Sequence, residues 1–125
     1  MNSSLELQLG FPLNVTPQRI EALEELKRQS KFVDLPGYDT EQEKQRCSEA
    51  VDELLDRLLA GITINPRKSW VLEQFLPTLR AACREDTEAR ERFGPYLEAV
   101  MDVLGIDGSD GMLTYYLAFG GEDAT

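Results

Sequence analysis

The sequence predicts an all-α protein, a compact bundle of about five helices with an extended N-terminal arm. Its 125 residues are enough for one domain with a core of its own. Apolar residues recur at helical spacing in most segments, and residues that cap or stop helices stand between these segments. We therefore assign residues 1–16 to the arm, residues 17–120 to a single helical domain and residues 121–125 to a disordered tail.

The arm alternates apolar and polar side chains, a period of two that is typical of extended chain. Its apolar side is formed by Leu5, Leu7, Leu9, Phe11, Leu13 and Val15. No other segment predicts a strand, so we expect the arm to lie on its own helices or to pair with the arm of a second copy in a homodimer. Pro12 lacks a backbone donor, which disfavours the pairing alternative.

Two helices follow the arm, each opened by a recognisable cap. Thr16 and Pro17 form an N-cap with proline in the first turn, which predicts the start of the first helix. Thr40 and Glu43 form a capping box for the second helix, and Gly61 ends it. The second helix has the most regular apolar stripe in the chain, which consists of Cys47, Val51, Leu54, Leu55, Leu58 and Leu59.

The pair Asn65 and Pro66 repeats the cap-plus-proline signal and predicts the start of a third helix, which Pro77 would bend. Its apolar face consists of Val71, Leu72, Phe75, Leu76, Leu79 and Cys83. Because Cys47 and Cys83 both fall on apolar helix faces, we expect two buried, reduced thiols.

Residues 86–104 predict one long fourth helix, bent at Pro95 and stopped by Gly105. A last short helix follows, and either Ser109 or Asp110 is placed to cap it. Its apolar residues are Met112, Leu113, Tyr116, Leu117 and Phe119.

The composition argues against several functions. Thirteen basic and twenty-three acidic residues give a formal net charge of −10, which disfavours nucleic acids and anionic membranes and favours a protein partner with a basic surface. Histidine is absent, which removes the commonest general base and metal ligand. We therefore favour a protein without catalytic activity or cofactor. No apolar run approaches the roughly 20 residues needed to span a bilayer, and we expect a cytoplasmic protein.

One candidate binding site is a row of four carboxylates on the second helix, formed by Glu49, Asp52, Glu53 and Asp56. Like charges four residues apart repel, and only Glu53 has a favourable neighbour at this spacing, Arg57. The row predicts either a solvated acidic face that binds a partner or, with Glu98 and Asp102, a Mg²⁺ site. In the second form it resembles the paired carboxylate motifs of the all-α nucleoside triphosphate pyrophosphatases, although those motifs lie on two helices.

A second candidate is an aromatic hot spot formed by Trp70 and Tyr115. Trp70 lies off the main apolar stripe of the third helix, so it either packs against the connection at residues 62–64 or stands exposed. Aromatic residues at helical spacing also pack commonly in cores with the polar tip at the surface, and both interpretations remain open here.

The chain resembles a family of small uncharacterised bacterial helical proteins over about residues 17–120. The motifs that carry this resemblance are Lys31-Phe32, Val71-Leu72-Glu73 with Phe75, Asp86-Thr87-Glu88, Tyr96-Leu97-Glu98, Met101-Asp102-Val103-Leu104-Gly105-Ile106 and Ser109-Asp110-Gly111. The resemblance implies a helical fold and a bacterial source, and it implies no activity.

Three hypotheses for the function follow. The first is a small acidic binding protein, such as an immunity or antitoxin-like protein that covers the basic active site of a toxin. The second is a Mg²⁺-dependent nucleotide pyrophosphohydrolase that uses the carboxylate row. The third is a homo-oligomer assembled through residues 1–16.

Overall fold

The computed structural model describes residues 12–33 and 41–121, and this part of the chain is helical. Its elements are α1 Pro17–Arg28, α2 Glu41–Gly61, α3 Lys68–Cys83, α4 Thr87–Glu91, α5 Gly94–Leu104 and a π-helical turn Thr114–Ala118. The all-α prediction is confirmed. Most of the arm, the Thr40 cap and most of the tail fall on residues 1–11, 34–40 and 122–125, which lie outside the described residues.

The core is centred on α2 and α3, which pack against each other, while α1 packs against both α2 and α5. Both predicted apolar stripes face this core. Three of their members are only partly buried, namely Leu59, Leu76 and Cys83. The π-helical turn packs against α3 and α4 and closes the other side of the bundle.

The described end of the arm lies on its own chain. Pro12 forms an isolated antiparallel bridge with Arg67, and the backbone N–H of Leu13 donates to the carbonyl of Pro66. Because Leu13 supplies the donor, the missing N–H of Pro12 is not needed in this bridge. The arm therefore ends against the connection between α2 and α3.

Residues at the start of α1 and just beyond its end form hydrogen bonds with α5. At the start of α1, Arg19 Nη1 donates to the carbonyl of Leu104, 3.2 Å away, and its guanidinium lies over Gly105, the C-cap of α5 with φ of +73°. Beyond its end, the N–H of Phe32 donates to the Tyr96 hydroxyl at 2.8 Å. The rings of Phe32 and Tyr96 are 4.8 Å apart, so the bond is supported by aromatic packing.

The third helix starts two residues, or about half a turn, later than the sequence predicts. Helix α3 begins at Lys68, and the Asn65 side chain instead donates back to the carbonyl of Gly61, at the end of α2. Pro66 accepts the arm's hydrogen bond rather than opening a helix. The same residue types serve both purposes, since asparagine and proline are also typical of turns. Helix α3 continues through Pro77.

The single long helix predicted over residues 86–104 is wrong, because the chain breaks into α4 and α5. The sequence places Asp86 or Thr87 to cap the start of this helix; Asp86 caps α4, and its side chain accepts from the N–H of Ala89 at 2.9 Å. The break lies just before Gly94 and Pro95, and Pro95 stands in the first turn of α5. Proline fits a helix start, where its missing N–H is not required, so a break is more favourable here than a bend.

The last helix is shorter than predicted and is a π-helical turn of five residues. Of the two candidate caps, Ser109 performs the role, since its hydroxyl accepts from the N–H of Leu113 at 3.1 Å. Asp110 has φ of +58°, a conformation that aspartate tolerates better than most residues, and its carboxylate lies 3.3 Å from the ammonium group of Lys68.

Candidate protein-binding surfaces

The predicted carboxylate row is divided by the fold into an outward half and a paired half. Glu49 and Glu53 are exposed and form no ion pair with any other residue that the structure describes. Asp52 and Asp56 instead turn towards α1, where Asp52 pairs with Lys31 and Asp56 pairs with Lys27.

Arg57, which the spacing in the sequence pairs with Glu53, turns towards α3 instead. Its Nη2 donates to the carbonyl of Gln74 at 2.7 Å and lies 3.1 Å from the hydroxyl of Thr78. Satisfying backbone and hydroxyl acceptors at the partly buried interface of α2 and α3 outweighs an exposed i,i+4 ion pair, which stabilises a helix by only about 0.3–0.5 kcal/mol. The Glu53 carboxylate group therefore faces solvent without an ion-pair partner among the described residues.

Lys31 is a buried cation that makes two hydrogen bonds and one ion pair. Its ammonium group donates to the carbonyls of Lys27 and Gln29, at 3.1 and 2.8 Å, and lies 2.7 Å from Asp52 Oδ1. The Lys31 side chain is 3% exposed, whereas that of Asp52 is 38% exposed. The two carbonyls lie at the negative end of the α1 dipole, so the cation also stabilises the C-terminal end of this helix.

The second pair in this interface, Lys27 with Asp56, lies in solvent. A hydrogen bond to Asp56, together with the charge of that carboxylate, raises the pKa of Lys27 above its ordinary value of 10.5. The two lysines are four residues apart, as are the two aspartates, and the pairs cross between α1 and α2 in antiparallel order. Sequence reasoning missed both lysines, although this matched spacing was a signal for them.

The carboxylates do not form a site that fits Mg²⁺. Among residues 12–33 and 41–121, no three carboxylate or thiol side chains converge closely enough to hold a metal ion. The two aspartates that would be ligands face lysine ammonium groups, and a cation would have to displace these. The donors that the sequence offered on α5, Glu98 and Asp102, are exposed on a helix that packs against α1.

The two aromatic candidates lie in different environments. Trp70 packs against the end of α2, where its indole is so close to Gly61 that a Cβ there would be 2.5 Å from Cζ2. Trp70 is thus partly buried against Gly61, the last residue of α2, where the sequence left open packing against residues 62–64 or exposure. Tyr115 is 41% exposed, with its ring edge-on to that of Tyr116 at 5.1 Å. The structure therefore keeps Trp70 at the edge of the core and leaves Tyr115 at the surface.

Tyr115 lines a largely apolar cavity of about 720 Å³ between α3 and the segment that leads into the π-helical turn. We call this cavity the α3 groove; it is lined by Ser69, Leu72, Glu73, Leu76, Ser109, Asp110, Gly111, Met112, Tyr115 and Tyr116. Trp70 does not line it. Sequence reasoning assigned Leu76 and Met112 to the core, and no periodic signal distinguishes a core position from one that lines an open groove.

A family model, described as a domain of unknown function (DUF4844), matches residues 14–119. The chain belongs to the DUF4844 family. The match covers nearly the whole helical domain and agrees with the resemblance found in the sequence. Neither the curated proteins nor the solved structures contain a significant match.

In the described part of this DUF4844 chain, no helix is both long and apolar enough to cross a bilayer. The two cysteines of the DUF4844 domain are thiols, with Cys47 buried and Cys83 partly buried beside the carbonyl of Tyr116.

Proposed function

We propose that the protein is a non-catalytic binding protein that holds a basic surface of another protein. The observation that carries this proposal is the outward half of the carboxylate row, where Glu49 and Glu53 face solvent without a cation from the described chain. Two like charges four residues apart on one helix destabilise it slightly. A basic partner surface relieves this repulsion on binding.

The overall charge supports the same function. With a formal net charge of −10, the protein attracts cationic surfaces over distances of about a Debye length, roughly 8 Å at physiological salt. Complementary charge of this kind raises association rates and selects against acidic competitors. Such a complex weakens as the salt concentration rises.

The hydrolase alternative has less support. It requires the four carboxylates of α2 to act together on a metal ion, whereas Asp52 and Asp56 are neutralised by lysines of the α1 region. What remains on the outer side of α2 is a pair of glutamates, which suits a protein partner better than a metal.

The most concrete form of this proposal is a bacterial cytoplasmic protein of the immunity or antitoxin type, which covers the basic active site of a toxin. The two thiols suit a reducing compartment, and small acidic inhibitors neutralise basic enzymes by charge complementarity. Blocking a cationic cleft needs no catalytic residues, in accord with a chain that contains no histidine.

The proposal is tested by capture of partners from the source cells at low and high salt, with proteins identified by mass spectrometry. The variants are Glu49→Gln with Glu53→Gln, and a control of equal charge change, Glu91→Gln with Glu98→Gln. We expect one basic protein that the control retains, and that the α2 variant and high salt both release. An acidic or neutral partner, or equal loss in both variants, would refute the proposal.

A further inference from the structure

We propose that the α3 groove is the anchor site for a short amphipathic helix of the partner, with apolar side chains in the groove and basic side chains at its rim. This inference rests on the proposed function and names the surface that gives the complex its affinity. Charge attracts the partner, but exposed charge pairs contribute little to affinity once they are formed. A tight complex needs a desolvated apolar centre as well.

The shape of the groove fits a helix. One wall is a stripe on α3, where Ser69, Leu72, Glu73 and Leu76 follow the spacing i, i+3, i+4 and i+7. The other wall is formed by Met112, Tyr115 and Tyr116, from the π-helical turn and the residues that lead into it. An α-helix and a π-helical turn with a trough between them form a receptor for a further helix. The α3 stripe is about 10 Å long, or two turns.

The side chains in the groove are of the kind that anchors partners. Tyr115 and Met112 provide apolar area with an adaptable shape, and residues of both types are enriched at interface centres. Leu76 is only half-buried although it belongs to the apolar stripe of α3, so the groove leaves part of the core edge in water. A volume of about 720 Å³ accommodates several apolar side chains of an incoming helix.

The charged residues that line the groove determine which charge a bound helix should carry. The charged side chains that line it are Glu73 and Asp110, and both are acidic. Asp110 is paired with Lys68, whose side chain is almost completely buried behind it. Glu73 is exposed and has no ion-pair partner among the described residues. A lysine or arginine beside the anchoring side chains of the partner therefore meets a carboxylate at this rim.

The inference is tested with synthetic peptides and the full ¹⁵N-labelled chain, by following backbone amide shifts. The first peptide has about three helical turns, leucines along one face and lysines elsewhere. The second has glutamates in place of the lysines, and the third has the composition of the first with the leucines scrambled. We expect the first peptide alone to shift the amides of Leu72, Leu76, Met112 and Tyr115.

Matched variants locate the contact. Tyr115→Ala removes an exposed anchor inside the groove, and Ile64→Ala removes an apolar side chain that is 80% exposed outside it. Tyr115→Ala weakens binding of the first peptide about tenfold or more, as expected for an interface anchor, whereas Ile64→Ala leaves it unchanged. Glu73→Gln weakens binding by a smaller factor, since it removes charge but little contact area.

Five outcomes would overturn the inference. Shifts confined to the surroundings of Glu49 and Glu53 would place the partner on α2 and leave the proposed function standing. Equal binding of the glutamate peptide would show that the groove does not select a basic helix, which would also contradict the proposed function. Equal binding of the scrambled peptide, or no binding of the first, would exclude a helical anchor. Groove shifts caused by deleting residues 1–11 would make the arm of this chain the occupant.

Discussion

Replacing Lys31 by methionine tests the reasoning about the interface between α1 and α2. Methionine keeps an unbranched apolar side chain of similar length, so the packing of the lysine stem is largely retained. The ammonium group is lost, and with it the two hydrogen bonds to the end of α1 and the ion pair with Asp52. Any loss of stability therefore reports on the buried charge.

The magnitude follows from the surroundings of Lys31. Breaking a fully buried ion pair destabilises a protein by about 3–5 kcal/mol. The Asp52 side chain is 38% exposed, so water solvates part of its carboxylate group even though Oδ1, which faces Lys31, is buried. We therefore expect a loss of about 2–3 kcal/mol in the free energy of unfolding, or roughly 8–12 °C in Tm for a domain of this size.

The assay is urea unfolding at neutral pH, followed by circular dichroism, with Lys27→Met as the control. Both variants remove one positive charge from the same interface, but the ion pair of Lys27 is exposed. Lys27→Met should therefore lose much less stability. Asp52→Asn in the Lys31→Met background should cost less than Asp52→Asn alone, because the carboxylate has already lost its cation.

Equal losses in the two lysine variants would refute this account, since burial would then not distinguish them. A stabilised Lys31→Met variant would refute it as well. It would show that the free energy gained by removing the buried cation exceeds the free energy lost when the two carbonyls and Asp52 lose their partner.

The remaining predictions concern backbone strain, pH and close packing. Gly105→Ala should lower the free energy of unfolding by about 1–2 kcal/mol in the same urea assay, because alanine is strained at φ of +73° and its Cβ would meet the Arg19 guanidinium at 3.0 Å. Gly108→Ala, where a Cβ meets nothing within 4 Å, should change it by less than about 0.5 kcal/mol, and equal effects at the two glycines would contradict the strain argument. The pKa of Lys27 is raised in the folded state, so the stability from its ion pair is complete below pH 10.5 and is lost as the pH rises through the folded pKa. Urea unfolding of Lys27→Gln should therefore show a smaller loss of stability than the natural sequence as the pH rises above 10.5, and an equal loss would disprove this. Gly61→Ala should shift the fluorescence emission of Trp70, the single tryptophan, to longer wavelength, because the indole must move away from a Cβ placed at 2.5 Å; an unchanged spectrum would show that the indole does not pack there.

Much of the fold was predictable because local signals and burial agree. The 21-residue helix α2 has one apolar stripe, and five of its six predicted members are buried. Thr16, Asp86 and Ser109 cap the segments that follow them, as their side chains predict. Such contacts lie within four residues along the chain, so the sequence alone contains both partners.

The errors arose where one signal serves two structures. Asn65 was predicted to open α3, but its side chain closes α2, since asparagine bonds equally well to a backbone group on either side of a turn. Pro95 was predicted to bend a helix and instead starts one. In both cases the residue type alone does not distinguish the two structures.

The sequence predicted which residues form the candidate site but not how they are arranged. The sequence identified four carboxylates, but their division into two exposed and two paired groups depends on the antiparallel packing of α1 on α2. Tyr115 was predicted as part of a possible aromatic hot spot with a core position left open, and the groove beside it depends on Leu76 and Met112 remaining partly exposed. Periodicity reports which residues share a face and does not report whether another element covers that face.

The fastening of α1 to α5 has a consequence for the order of events during synthesis. The carbonyl that receives Arg19 lies 85 positions later in the chain, and the hydroxyl that receives Phe32 lies 64 positions later. Helix α1 leaves the ribosome early but lacks both attachments until almost the whole domain has been translated. A nascent chain stopped before α5 should therefore expose to chaperones the side of α1 that packs against α5, and completion of α5 should release it from them.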